Sequence, residues 1–595
     1  MKPLFKFFKP YWLPFIILVV FTYLQVMATL KLPDYMSDIV NKGIIGQNMQ
    51  TAWHSGLLML LVTLGGALAS IVVGFFASRI ATGFTRDMRL ALFTRVESFS
   101  IHEFNQFSTA SLITRSTNDM QQVQQTLVML LRMMLMAPIM AVGALQNALG
   151  MAPEMSWIIG LAIAIMLSVI VVLFRIGIPK FNLLQKMVDR LNLVTRENLT
   201  GLRVVRAFNN EKREQAKFET ANDELTQLNL FTNRLLVIMQ PVMMLVMNFA
   251  TLAIVWFGAH LVYSNTIEIG NMLAFMQYAI QVIMSFLMIS IVFIIVPRAA
   301  VSARRIGEVI ATKPTILEPR TPKQLPKTAH GTVEFRNVTF SYPGADLPVL
   351  SDISFTAHSG QTTALIGSTG SGKTTLINLI PRFYDVTAGK VLIDDIDVRD
   401  LSLHDLHGEI GYVPQKAALF SGTVASNIRY GKHDASEKDV TQAATIAQAA
   451  EFIDGLENGY DNEIAQGGSN VSGGQKQRLS IARALAVNPN IYIFDDSFSA
   501  LDFRTDAKLR KALEKETKAK TVLIVGQRIS TIVNADKIIV IDEGKIVGEG
   551  THSELLQTNA VYQEIAKSQL SDEELAAMTS TSTARSKKEK SHGRK

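Results

Sequence analysis

The strongest chemical signal in this 595-residue sequence is Gly367-Ser368-Thr369-Gly370-Ser371-Gly372-Lys373-Thr374. The glycines let successive backbone N–H groups converge, and a helix N-terminus just beyond would add partial positive charge. The combination suits a nucleotide's phosphates, with Lys373 expected at the β- and γ-phosphates of ATP and Thr374 at Mg²⁺. A glycine-rich turn without a ligand is the plainer alternative. It is disfavoured by the apolar run Thr362–Ile366 before the loop and the helical pattern from Lys373 onward, the strand–loop–helix context that the motif needs. Downstream, Ile491-Tyr-Ile-Phe-Asp495 reads as a buried strand ending in a carboxylate, and Asp495 is placed to hold Mg²⁺ through water.

The elements around these residues fall into two regimes. From Gly331, short β-rich runs alternate with helical patterns, giving an α/β P-loop nucleotide-binding domain. The first half is instead dominated by long apolar runs: Trp12–Leu30, Gly56–Ala77, Thr126–Leu149, Trp157–Ile178, Leu235–Val262 and Met272–Val296. Each supplies the roughly 20 residues a transmembrane helix needs, so the fold expected is a membrane all-α domain of six helices followed by the α/β domain. The expected limits are 1–310 for the transmembrane domain, 311–330 for a linker, 331–570 for the nucleotide-binding domain and 571–595 for a disordered basic tail.

Lys and Arg are absent from the short loops around Glu154 and Glu268 and frequent in the long segments after the second and fourth spans, such as Arg86, Arg89, Lys186 and Arg190. The positive-inside rule puts those segments, both termini and the nucleotide-binding domain in the cytoplasm of a multi-pass cytoplasmic (inner) membrane protein. The net charge of +7 is then a membrane-surface feature, with no nucleic acid expected as partner. Leu4, Phe5, Phe7 and Phe8 opposite Lys2, Lys6 and Lys9 read as an amphipathic helix along the inner interface, in contact with lipid. There is no cysteine, which excludes disulfides, thiolate metal sites and cysteine nucleophiles.

Val471-Ser472-Gly473-Gly474-Gln475 resembles the signature motif of ATP-binding cassette (ABC) proteins, and phosphate loop, signature and Asp strand stand in that family's order. Ser108–Asp119 and Glu197–Phe208 are similar to the two cytoplasmic loops of its exporter subtype. The resemblance implies further ATP-site residues: Tyr342 as the aromatic stacking on adenine, Thr375 beside Thr374, Gln415 as the Mg²⁺- and interface-sensing glutamine, and Ser499-Ala-Leu-Asp502 as the loop crossing to a partner cassette. It also implies that two cassettes dimerise head to tail, each ATP lying between one chain's phosphate loop and the other's signature. One copy of each motif therefore implies a second half-transporter.

Three positions depart from that family's pattern. Asp496 stands where a catalytic glutamate usually follows the strand Asp, and Gln527, in Val525-Gly-Gln-Arg528, where a histidine faces the γ-phosphate. Asn462–Gly468 departs from the usual Thr-Glu-Val-Gly-Glu-Arg-Gly-like run. Asp is one methylene shorter than Glu, which draws its carboxylate back by about 1.5 Å. A misplacement near 1 Å can cost on the order of 100-fold in rate, and glutamine cannot become cationic. Asp496 and Gln527 are thus the catalytic positions, both altered, while the phosphate-binding groups are intact. The pattern resembles the degenerate-site subunit of bacterial heterodimeric multidrug exporters, whose own site binds ATP and hydrolyses it slowly while its signature completes the partner's competent site; harmless drift in a homodimer is the alternative.

The cargo implied by that resemblance is amphipathic small molecules. Met133, Met134, Met136, Met243, Met244 and Met247 supply soft surface, and Gln146, Asn147, Gln240, Asn248, Gln277 and Gln281 uncharged polar groups. No acidic residue in mid-span stands out as a cation partner. A lipid or peptide exporter subunit and a nucleotide-sensing regulatory subunit are the other readings.

Overall fold

The computed structural model describes residues 2–326 and 329–570, so the tail expected over 571–595 lies outside the described residues. The chain divides into two compact units. One is built from Met1–Glu97 and Ser108–Lys313, the other from Ser98–Phe107 and the chain from Pro314 onward.

Six helices of the first unit, among the described residues, are long and apolar enough to cross a membrane: Leu4–Ile45, Met49–Glu97, Thr109–Met151, Pro153–Gly177, Glu211–Tyr263 and Ile269–Ala311. Five of them run well beyond the apolar segments that mark them, and the fourth belongs to a helix that continues to Thr200. The N-terminal Lys2–Tyr11 is a 3-10 helix. Its three-residue turn separates residues that a 3.6-residue period would align: Leu4 is buried, Phe7 and Phe8 half-buried, and Phe5 exposed with Lys6 and Lys9.

The first span differs most from expectation. Its α-helix, Trp12–Asp38, passes through Pro33 and continues as a π-helical turn over Ile39–Ile45. This extension carries Lys31 and Asp34 into the helix. The Tyr278 hydroxyl lies 2.5 Å from Asp34 Oδ1 and 2.8 Å from the Leu30 carbonyl, and Lys31 Nζ lies 3.0 Å from Asp34 Oδ2. An ionised side chain in a spanning segment is costly without partners, and here a phenol and an ammonium supply them. The mid-span segments read as lacking an acidic partner for a cation; Asp34 lies outside them, just past Leu30 where the apolar run stops, in the part of the helix that the run does not mark.

The second unit holds two main sheets. A four-stranded antiparallel sheet runs Leu350–Ala357, Val333–Phe340, Ala388–Ile393, Ile396–Asp397. A six-stranded sheet runs Lys545–Gly550, Lys537–Asp542, Thr362–Ile366, Thr521–Val525, Ile491–Asp495, Ile410–Val413, parallel except for its first edge strand. Both faces of the parallel part are buried, which is why its strands read as continuous apolar runs. Ile491 and Ile493 pack into one core with Leu365 and Leu523, and Tyr492 and Phe494 into the other with Ala364 and Ile524. The short helix Ile101–Phe107 groups with this unit. Its buried Glu103 accepts from Ser100 N at 2.9 Å, the Ser100 hydroxyl at 2.6 Å and Thr315 N at 3.3 Å.

Candidate functional site

Four neighbouring parallel strands end at the same edge of the six-stranded sheet, the usual place for a ligand crevice in open α/β sheets. Thr362–Ile366 leads into Gly367–Thr374, Ile491–Asp495 into Asp496, Thr521–Val525 into Gln527, and Ile410–Val413 into Gln415. Register fixes their depth: Val525 pairs with both Asp495 and Leu365, and Val413 with Phe494. Residues more than 100 positions apart in sequence are thus delivered together by pairing alone.

The phosphate loop has the shape that an anion cradle needs. Gly372 adopts φ +100°, and a Cβ there would lie 2.7 Å from Leu350 Cδ2, so the turn into the helix Lys373–Leu379 requires glycine twice over. Gly370, at φ +87°, has open space where its Cβ would point. Lys373 is buried, its Nζ 2.9 Å from Gly367 O, 2.7 Å from Ser368 O and 3.3 Å from Ser371 Oγ. Among the described residues it has no salt bridge. Burial pushes its pKa down, while the nearby Asp496 and Asp495 carboxylates oppose that shift. A buried ammonium held only by neutral oxygens fits an anionic ligand.

The Thr374 hydroxyl donates to Asp495 Oδ1 at 3.2 Å. Burial pushes the Asp495 carboxyl up, against the Thr374 hydrogen bond. One hydroxyl and one carboxylate side by side, both hard oxygen donors, suit Mg²⁺, which takes few protein ligands and completes its shell with phosphate and water. No group of three or more His, Cys, Asp or Glu among the described residues could hold a metal by itself, so the donor set fits a shared ion better than a caged one.

Asp496 is half-buried with φ +44°, and its Oδ2 accepts from Gln415 Nε2 at 3.3 Å. Burial raises its pKa, with the Gln415 contact the largest opposing influence. Gln527 is exposed on the next loop, without a hydrogen bond from its side chain among the described residues. Tyr342 is half-buried, packed edge-on against Phe340 and Tyr384, with its hydroxyl 2.9 Å from Thr375 Oγ1. Tyr384, a third ring at this corner, was not singled out from sequence; no motif marks it.

The signature residues lie apart from this group. Ser472 caps the helix Gly473–Val487 in a reciprocal pair: Gln475 N donates to Ser472 Oγ at 3.3 Å and Ser472 N to Gln475 Oε1 at 2.8 Å. A Cβ on Gly473 would meet open space, and one on Gly474 would lie 3.3 Å from Ala500 O. Among the described residues no hydrogen bond links the signature to the phosphate loop.

Comparison with known proteins agrees with this geometry. The ABC transporter transmembrane region matches residues 15–286 and the ABC transporter domain residues 350–499. An uncharacterized ABC transporter ATP-binding protein of Mycobacterium tuberculosis is 41% identical over 564 residues, covering 94% of this chain and 97% of that protein. An ATP-dependent lipid A-core flippase of Syntrophus aciditrophicus is 33% identical over 531 residues, covering 87% and 86%. A bacterial Atm1-family ABC exporter, solved with ATP bound, shares the fold with a TM-score of 0.78 at 24% identity, over 95% of this chain and 99% of that one. With six membrane-crossing helices ahead of one ATP-binding cassette, the chain belongs to the ABC transporter family, as an exporter half-transporter.

Proposed function

We propose that this half-transporter is the slow-hydrolysing subunit of an asymmetric dimer that exports amphipathic compounds across the cytoplasmic membrane, with its cassette on the cytoplasmic side. The cassettes of this family bind ATP and couple its hydrolysis to transport, and its half-transporters typically dimerise. Lys373 and the backbone N–H groups of Gly367–Gly372 hold the phosphates, Tyr342 flanks the adenine, and Thr374, Asp495 and Gln415 hold Mg²⁺, which when bound neutralises phosphate charge. Ser472, Gly473, Gly474 and Gln475 serve the partner's nucleotide.

The observation that carries the asymmetry is Asp496. Its carboxylate ends one methylene short of a glutamate's and is tied to Gln415 at 3.3 Å. A base must lie within hydrogen-bond reach of the water it activates. Gln527 beside it supplies no positive charge. The purified chain without its partner is expected to turn over ATP at least about tenfold more slowly than the assembled dimer, since two hydrolytic groups are altered. Equal rates would overturn the reading.

For the cargo, Asp34 favours amphiphiles carrying a positive charge. It is held by Tyr278 and paired with Lys31, a mostly exposed partner that a cargo cation can replace. Met134 and Met244 add exposed, adaptable apolar surface. Asp34→Asn is expected to remove most stimulation of ATPase activity by an amphipathic organic cation and to spare stimulation by a neutral amphiphile. Equal loss for both would contradict the assignment. Lipid export is the second reading, favoured by the 33% identity to a lipid A-core flippase. Stimulation by lipid A alone, with no response to the cation, would establish it instead.

A further inference from the structure

The loop presenting Gln527 is short and is held in an unusual way. Its base is fixed to the sheet: Gly526 N donates to Leu365 O at 3.1 Å, and a Cβ on Gly526 would collide with Ile532 Cγ2 at 2.6 Å. The helix Ile529–Ile532 follows at once, and the residue ahead of it, Arg528, provides no side-chain cap. The first N–H groups of a helix need acceptors from elsewhere. Here the acceptor comes from the far end of the cassette: Ile529 N donates to Gln569 Oε1 at 2.9 Å, and Gln569 Nε2 donates to Gln527 O at 2.7 Å. A single carboxamide grips the backbone on both sides of Arg528.

The anchor behind that carboxamide is firm. Gln569 is the last residue of the helix Ala560–Gln569. Tyr562 on that helix is fully buried, its hydroxyl 2.7 Å from His552 Nδ1. Asn559 accepts from Tyr562 N at 2.8 Å and donates to Val547 O at 2.8 Å, which ties the helix start to the sheet's edge strand. Arg510 steadies the loop from its other flank, bonding Ser530 O while paired with Asp506 at 2.7 Å. Arg510 reaches past Gln527, however, whereas Gln569 bonds the Gln527 main chain itself.

We propose that Gln569 is a positioning residue that acts through Gln527, setting the loop so that the Gln527 amide faces the terminal phosphate bound at this chain's own site. The inference rests on the reading of Gln527 as a phosphate-facing group. It requires a side chain with donor and acceptor at one end, which glutamine has, glutamate lacks, and methionine replaces in volume but not in hydrogen bonding. Because Gln569 is exposed at a helix end, its replacement does not threaten the fold.

The test is a double-mutant cycle in the assembled dimer, reading how long this chain retains photo-reactive ATP, with melting temperature followed in parallel. Gln569→Met is expected to shorten retention about fivefold, the scale of two ordinary hydrogen bonds lost from a loop, without moving the melting temperature. Gln527→Ala is expected to shorten it similarly, and the double variant to be no worse than Gln527→Ala alone, because residues acting as one unit are non-additive. If the two effects add, or Gln569→Met leaves retention unchanged while Gln527→Ala shortens it, Gln569 is not a positioning residue and the inference is overturned. If Gln527→Ala itself is silent, the reading of Gln527 as a phosphate contact falls, and the positioning role falls with it.

Discussion

Ser472→Ala combined with Gly474→Asp is expected to lower ATP turnover and transport by the assembled dimer about 100- to 1,000-fold, the range seen when donors to transition-state charge are removed. Ser472 and the backbone at Gly473 and Gly474 form the start of the helix Gly473–Val487, and open space lies over Gly473. In the proposed dimer that surface would face the partner's γ-phosphate. Removing the hydroxyl takes away a donor, and a new carboxylate places like charge beside the phosphate. The Asp side chain must also leave Gly474 through a gap of 3.3 Å to Ala500 O, so the adjoining loop is crowded as well. ATP binding at this chain's own phosphate loop should survive, because no hydrogen bond among the described residues joins the two surfaces. Turnover within threefold of the unmodified dimer would contradict the assignment.

Lys373→Ala is the second large effect, with ATP affinity at this chain's site expected to fall about ten- to 100-fold, as for loss of a charged hydrogen bond at a buried position. Lys373 is the cationic group at the centre of the loop, and in its present state it donates to Gly367 O, Ser368 O and Ser371 Oγ. Truncation leaves those oxygens without their donor and the phosphates without a counter-charge. Equilibrium binding of radiolabelled ATP to the purified chain measures it, and unchanged affinity would remove the basis for the nucleotide site.

Much of the cassette was legible in the sequence because local pattern and tertiary need coincide there. Thr362–Ile366 and Ile491–Asp495 read as apolar strands and are central strands of the parallel sheet. Gly370 and Gly372 read as turn residues and stand at positive φ. The membrane half was legible as spans but not as lengths. Lys31, Pro33 and Asp34 interrupt hydropathy after Leu30, yet helix–helix packing carries Trp12–Asp38 through them, and their Tyr278 partner lies 244 positions away in sequence. Lys2–Tyr11 reads as a short amphipathic helix and is helical, wound as a 3-10 helix that leaves Phe5 on the exposed side. The Gln569 grip on Gln527 was invisible for a different reason: a lone glutamine near the end of a helix carries no motif, and only the fold brings it to that loop.

The central claim is a division of labour between two composite ATP sites, and ATPase activity of the assembled dimer carrying Asp496→Asn tests it most directly. In the proposed division Asp496 belongs to the site built on this chain's phosphate loop, where its short carboxylate would contribute little to hydrolysis. Most of the turnover should therefore remain, within about twofold, in contrast to the loss of two or more orders of magnitude expected from the signature change. Turnover abolished by Asp496→Asn and retained by the signature variant would reverse the roles of the two sites. Equal, partial losses from both would instead describe a symmetric dimer with two modest sites.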